Sequence, residues 1–458
     1  MIKLNFNIKH QHKIGFLFAT LIICSCNKDW LNEKPNKSLV VPNKVKDFQA
    51  ILDNSVSVYN VNYPALQEIA TDDYYLLDIT FEATENLGQH IYQWKSDPYP
   101  SEIIPDWSEA YKRILTSNIV LDGIEKVNPN SDISGWRNVK GTALFCRAID
   151  YFNLTQLFCK PYKSISSDSE LGLPLRLTPN VNEQHSRASL KRTYEQVLHD
   201  LIQSCDLLPI EPKYKTRPSK GAAYALLCRI FLNMEDYNQA KLYADSALSL
   251  SNTLLDFNTL SNGRIPLFTN NPEVLYNATS LSYGPISPLN AIVDSNLYNS
   301  YDTNDLRRSI FYKLFNNQQT FWGSYDGRII PFFSGLATDE VLLSRAECNA
   351  RLGNLDDATN DLNTLLEKRW ITNTYTPFNS VDENEVLTTI LNERRKEMAF
   401  RSTRWSDLRR LNTDTRFEKT LTRIINATLH SLPPNDNRYV FLIPENEISL
   451  SRIQQNPR

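Results

Sequence analysis

Two tryptophans in this chain sit where a flat ring can be presented rather than buried. Trp94 lies in Ile91-Tyr92-Gln93-Trp94-Lys95-Ser96-Asp97-Pro98, just ahead of a proline and outside any clear helical pattern. Trp322 lies in Thr320-Phe321-Trp322-Gly323-Ser324-Tyr325, beside a glycine that permits close approach. Tyr283, Tyr298 and Tyr325 add further rings, and Asp73, in Thr71-Asp72-Asp73-Tyr74, offers an acceptor for hydroxyl hydrogen bonds. The chemistry open to such a set is non-covalent. An aromatic ring stacks on the apolar C–H face of a sugar, each contact contributing about 0.5–1.5 kcal/mol beyond burial, while neighbouring Asp, Asn or Arg satisfy the hydroxyl rim. Taken singly, each ring reads more readily as a half-buried loop anchor. Trp107, Trp136, Trp370 and Trp405 fall on helical faces or helix ends and read as core.

Motifs for covalent chemistry do not appear. The sequence has no H-E-x-x-H, no G-x-S-x-G and no G-x-x-x-x-G-K-[ST]. His90, His185, His199 and His430 are isolated. Paired carboxylates of the glycosidase kind meet only in the fold, so a helical glycoside hydrolase stays open as an alternative. Cys146, Cys159, Cys205, Cys228 and Cys348 are odd in number and widely spaced, a poor disulfide framework. Cys146, Cys228 and Cys348 lie in apolar helical patterns and read as small core residues. No metal and no cofactor is implied, because no His or Cys cluster has ligand spacing.

The elements that must position these residues read as helical. Net charge is −3, which leaves no nucleic-acid footprint. Only 13 of 458 residues are glycine, against about 7% in average proteins, which disfavours a turn-rich β-sandwich or barrel. Trp107, Ala110, Tyr111, Ile114, Leu115, Ile119 and Leu121 make a wide apolar face over 106–125, and a second such face runs over 136–158. Arg394 to Arg410 is arginine-rich, but Glu393, Glu397 and Asp407 interleave with it, so ion pairs are expected rather than a basic patch.

An internal repeat gives the architecture. Residues 223–250 and 341–368 align without a gap, with Tyr237 over Leu355, Ala240 over Ala358, Leu248 over Leu366 and Glu235 over Gly353. Both copies resemble the tetratricopeptide repeat, a helical hairpin whose small alanine lets the second helix approach the first. One hairpin cannot bury its apolar face alone, so such repeats stack into a superhelix. Between the copies, 251–338 is rich in proline, Asn, Ser and aromatics. It reads as loops and short helices laid across the scaffold, where binding usually sits.

The N-terminus carries a separate message. Lys9 and Lys13 precede an apolar run from Ile14 to Ile23, too short for the about 20 residues that a spanning helix needs. A basic start, an apolar middle and a small residue before the cut make a secretory signal peptide. The cut resembles a bacterial lipobox with Cys26 as the lipidated residue, since Ser25 before it is small and Ile23, before Cys24, is not. The expected organisation is a signal at 1–25, a polar tether at 26–45, a repeat-like region at 46–250, the loop-rich insert at 251–338 and a C-terminal repeat region at 339–458. Residues 46–458 are expected to form one interwoven unit.

The C-terminal third carries the family likeness. Ile390 to Leu411 resembles the signature of the SusD/RagB family of Bacteroidetes outer-membrane lipoproteins, an E-R-x-x-E-L-x-F-E-G-x-R-x-x-D-L-x-R helix pair. Glu393, Arg394, Glu397, Phe400, Arg404, Asp407, Leu408 and Arg410 match it, while Arg401 and Ser402 replace its Glu-Gly. Tyr439 to Pro457 resembles the closing strand-like segment, and Asn118, Cys146-Arg147-Ala148, Gly172-Leu173-Pro174 and Asp200-Leu201 fit in order. The resemblance implies a mainly α, tetratricopeptide-like superhelix with an irregular ligand-binding half. It implies a non-catalytic cell-surface protein, anchored to the outer membrane by its lipid. Such a protein captures oligosaccharide, or in some branches peptide, for a SusC-like TonB-dependent transporter. A pure protein-interaction scaffold is the remaining alternative.

Overall fold

Proline at the first turn pre-sets the backbone for helix Pro105–Ile124, whose Trp107, Ala110, Ile114, Val120 and Ile124 are buried. Its neighbour, Ile133–Phe158, starts where the Asp132 carboxylate accepts the Gly135 N–H. From Val139 onward nearly every residue of this helix is buried, as expected for a helix enclosed on all sides. It packs between Pro105–Ile124 and Leu190–Leu207, the last capped by Ser189 and ending ahead of Pro209. The computed structural model describes residues 42–55, 58–99, 103–260 and 262–458. The signal, most of the tether and Cys26 lie outside them. Asn43–Arg458 forms a single cluster of contacts.

The aligned copies are helical hairpins. Lys220–Asn233 pairs with Tyr237–Leu250, and Thr338–Arg351 pairs with Leu355–Leu366. Tyr237–Leu250 packs on Thr338–Arg351, so the two hairpins stack directly although the whole insert separates them in sequence. Ala240 and Ala358 are fully buried at the helix crossings. Each hairpin turns through one left-handed residue, Glu235 at φ 61° and Gly353 at φ 80°, at aligned positions. An L side chain pays about 1–2 kcal/mol there, so the second copy holds the better residue. All five cysteines of the described region are buried and unbridged.

The insert is built of short pieces. Among the described residues every sheet has two strands. Val274–Tyr276 pairs with Leu336–Ala337, which closes the insert on itself just before the second repeat begins. Tyr74–Tyr75 pairs with Ile292–Val293, and Tyr312–Phe315 with Gln318–Phe321. The signature forms helices Glu383–Glu397 and Arg404–Leu411, joined by a turn with Phe400 at φ 57° and Ser402 at φ 60°. Ser402 adopts the conformation that the family's glycine takes freely.

Two features depart from expectation. Leu421–Ile425 and Thr428–Leu432 form a hairpin through Asn426 and Ala427, both left-handed, a turn type usually marked by Asn-Gly. The closing segment is not strand-like throughout. Tyr439, Val440, Phe441 and Ile443 are all buried, but Glu445–Ser451 is a helix with Glu445 and Glu447 in its first turn, where the helix dipole favours acids.

Candidate functional site

The signature arginines bind the loop half to the repeats. Arg394 donates to Asp407 at 2.9 Å, and Arg410 bridges Asp407 and both oxygens of Glu347. Burial alone would raise Glu347, but Arg410 outweighs it and holds the carboxyl down to about 2. Arg307, from the insert, donates to Asp305, Glu393 and Glu397, and Arg369 joins Glu397 to Glu273. Arg401, standing where the family has glutamate, pairs with Asp339 and lies over the Tyr325 ring. The interleaved acids and bases are therefore internal ion pairs. Removing one partner of such a pair costs about 3–5 kcal/mol.

These pairs decide where the candidate residues stand. Trp94 is not a platform. It is 5% exposed, its indole N–H donates to the Ala70 carbonyl at 3.0 Å, and the Arg423 guanidinium lies 4.4 Å from its ring centre. Position before Pro98 suggested an open loop, but a left-handed turn at Trp94 itself folds the ring inward. Asp73 is fully buried and accepts from Arg395 at 3.0 Å, so it is not an open acceptor. Tyr325 is also fully buried, donating to Glu397 at 3.0 Å. Tyr283 is half-buried and donates to Asp106 at 2.6 Å. Trp322 is half-buried, its indole N–H donating to Thr320 at 2.8 Å. Gly323 is needed for a different approach than expected. A Cβ there would meet the Phe311 backbone at 2.7 Å, so the neighbour is the protein's own chain.

Tyr298 and Asp73 are the candidates brought together. The Asp294 N–H donates to the Asp73 carbonyl at 2.9 Å, and Asp294 caps the short helix Ser295–Asn299 that carries Tyr298. Tyr298 is half-buried, packs edge-on against Tyr312, and has the Arg308 guanidinium 4.8 Å from its ring centre. Tyr75, 37% exposed, lies on the strand paired with Ile292–Val293, just ahead of Asp294 in sequence. Arg395 joins this edge from the signature helix, 3.7 Å from Asp294. Trp322 binds Thr320, on the hairpin face opposite Tyr312, so it does not share the surface of Tyr298. Tyr283 stands apart, over an apolar notch of about 30 Å³ with Ile286, Ile330 and Phe332.

Tyr75, Asp294, Arg308 and Arg395 were not among the candidates. Arg395 was adjacent to a recognised motif residue, but one position along a helix turns about 100°, so Arg394 faces the repeats and Arg395 the Asp72-Asp73 loop and the insert. Beneath the edge, burial and the charge of Asp73 push Glu68 up to about 8, while its Oε2 accepts the Ser402 N–H. Burial would also raise Asp72, yet Arg404 and Arg395 outweigh it and hold that carboxyl well below the usual range. Glu273, Asp339 and Glu397 form a buried acidic group of metal-ligand proximity. Each of the three carboxylates is paired with an arginine, through Oε1 alone for Glu273, which makes the group an ion-pair hub.

Comparison with known proteins follows the same outline. Residues 29–232 match a SusD-like family model described as starch-binding associating with outer membrane, and residues 338–458 match the SusD family model. SusD-like protein P2 of Formosa agariphila is 23% identical, over 88% of this chain and 90% of its own length. A SusD superfamily crystal structure from Bacteroides thetaiotaomicron superposes with a TM-score of 0.75 at 24% identity, covering 91% of this chain and all of that one. A SusD-like carbohydrate binding protein from Bacteroides vulgatus gives 0.68 at 18% identity, covering 90% and 97%.

Proposed function

Because the chain belongs to the SusD/RagB family, we propose that it is a non-catalytic cell-surface protein that captures oligosaccharide and passes it to a SusC-like TonB-dependent transporter. Lipid on Cys26 anchors it to the outer membrane in this reading. No described helix is long and apolar enough to cross a membrane, which accords with attachment by lipid. The insert 251–338 supplies the capture surface and the repeats supply the support.

The observation that carries the reading is the Tyr298 edge. The Tyr298 ring stands beside the Arg308 guanidinium on a short helix capped by Asp294, which Arg395 approaches from the signature helix, and Tyr75 adds an exposed ring on the strand paired with Ile292–Val293. Rings give stacking, and the charged groups give hydrogen bonds to hydroxyls. Two exposed or half-exposed rings suit weak capture, which lets the ligand be handed on. Trp322 offers a separate half-exposed ring.

A glycan-array and peptide-pool screen of the purified protein, followed by Tyr298→Ala and Trp322→Ala, tests this. The Tyr298→Ala variant is expected to lose roughly tenfold in affinity for the captured glycan with its melting temperature nearly unchanged. Capture of peptides alone, or equal glycan binding by both variants, would overturn the assignment. Co-purification with a co-expressed barrel partner tests the delivery step.

A further inference from the structure

Among the arginines of the signature helix pair, Arg394, Arg395, Arg401, Arg404 and Arg410 each meet a carboxylate. Arg409 meets none among the described residues. It is 3% exposed, and its two terminal nitrogens donate to the carbonyls of Gln156 and Cys159 at the end of helix Ile133–Phe158. The negative end of that helix offsets part of the charge. Burial still pushes the guanidinium down to about 10, and its Nε–H has no partner.

Two more buried donors stand beside it. Asn412 follows three positions on, which puts it on the same helical face. Its Oδ1 accepts the Lys419 N–H at 3.0 Å, which fixes the amide orientation and turns Nδ2 toward the Tyr439 hydroxyl. The Tyr439 ring packs on Trp405, 4.7 Å between centres, and its hydroxyl oxygen lies within hydrogen-bond reach of the Asn412 amide, while no described residue accepts its O–H. Arg409, Asn412 and Tyr439 line one pocket of about 310 Å³, at the small end for ligand sites. A hollow of about 420 Å³ adjoins it through Lys160, Glu170, Asn437 and Val440.

The charges at the mouth are uneven. Glu170 is taken up by Lys160 and Asp436 by Arg438, whereas Lys163 is exposed and meets no carboxylate among the described residues. The pocket is therefore lined by residues that carry buried donors and positive charge, with no uncommitted carboxylate. A buried donor left without an acceptor costs about 1–3 kcal/mol, and an oxyanion supplies several strong acceptor oxygens at once.

We propose that this pocket is an oxyanion site that takes the carboxylate or sulfate group of an acidic sugar, recognised by Arg409, Asn412 and Tyr439. It shares no residue with the Tyr298 edge and stands whether or not that edge binds glycan. The size of the pocket and its adjoining hollow suits one charged sugar unit with a neighbour.

Titration calorimetry of the purified protein with sodium glucuronate, glucose 6-sulfate and glucose tests it. At least one anionic sugar is expected to bind saturably, with glucose tenfold or more weaker. A preference for glucuronate identifies a uronic acid, and a preference for the sulfate ester identifies a sulfated sugar. Arg409→Gln also strips the carbonyls of Gln156 and Cys159 of their donor, so Tyr439→Phe, which keeps the ring on Trp405, is the decisive variant. It is expected to weaken the anionic sugar roughly tenfold or more. The proposal is overturned if neither anion binds saturably, if glucose binds as tightly, or if Tyr439→Phe leaves the affinity unchanged.

Discussion

At the scale of single residues, Trp94 and Tyr298 mark the line between core and surface. Trp94 fills a buried site with its N–H satisfied by Ala70 and its ring face covered by Arg423. Trp94→Ala is therefore expected to cost about 3–5 kcal/mol of stability, read as a lowered denaturation midpoint, whereas Tyr298→Ala leaves that midpoint close to the parent's. Sequence could not separate the two, because neither ring lies in a long periodic element and only the fold decides which way each turns. Glu68 gives a second residue-scale prediction. Its carboxyl sits at about 8 in the fold, above its unfolded value of about 4.3. The folded state holds the extra proton between those values, so stability falls as pH rises through that window. Asp150, raised to about 6, and Glu273, raised to about 7, add to the same slope. Glu68→Gln keeps the acceptor for Ser402 and removes the charge. Urea unfolding at about pH 5 and about pH 8.5 should show the variant losing less stability than the parent, by a few kcal/mol. Equal losses would show that Glu68 ionises at an ordinary value.

At the scale of elements, the left-handed turns make the sharpest prediction. Glu235 and Ser402 occupy conformations that glycine holds without strain. The Ser402 hydroxyl is also buried without a partner. Glu235→Gly and Ser402→Gly should each raise stability by about 0.5–1 kcal/mol, measured by denaturant unfolding. A loss in either would mean that the side chain contributes more than the strain, as Glu235 does in part by accepting from Thr413. The helices and the repeat were legible because their signals are periodic and local. The gapless alignment even placed Gly353 over Glu235, and both proved to be the left-handed turn residue. The hairpin at 421–432 was not legible, since Asn426-Ala427 lacks the glycine that marks such turns. The partner of Arg401 was not legible either, because Asp339 lies 62 positions away and only the packed insert brings it near.

For the whole molecule, the ion pairs explain how loops come to hold a fixed surface. Arg307, Arg369 and Arg395 tie the insert and the Asp72-Asp73 loop to the signature helix, which in turn is tied to the repeats through Glu347. Pre-ordered loops spend less binding energy on ordering, which helps a shallow surface capture a flexible chain of sugars. The family expectation covered this scaffold well. It covered the binding edge poorly, since half of the chosen candidates, Asp73, Trp94 and Tyr325, are structural members of the clamp. The measurement that tests the central claim most directly is calorimetric titration of oligosaccharides identified on a glycan array into the parent protein and Tyr298→Ala, with product analysis of the same mixtures. The account predicts saturable binding that Tyr298→Ala weakens, and oligosaccharides recovered intact. Cleaved products, or binding untouched by the substitution, would contradict it.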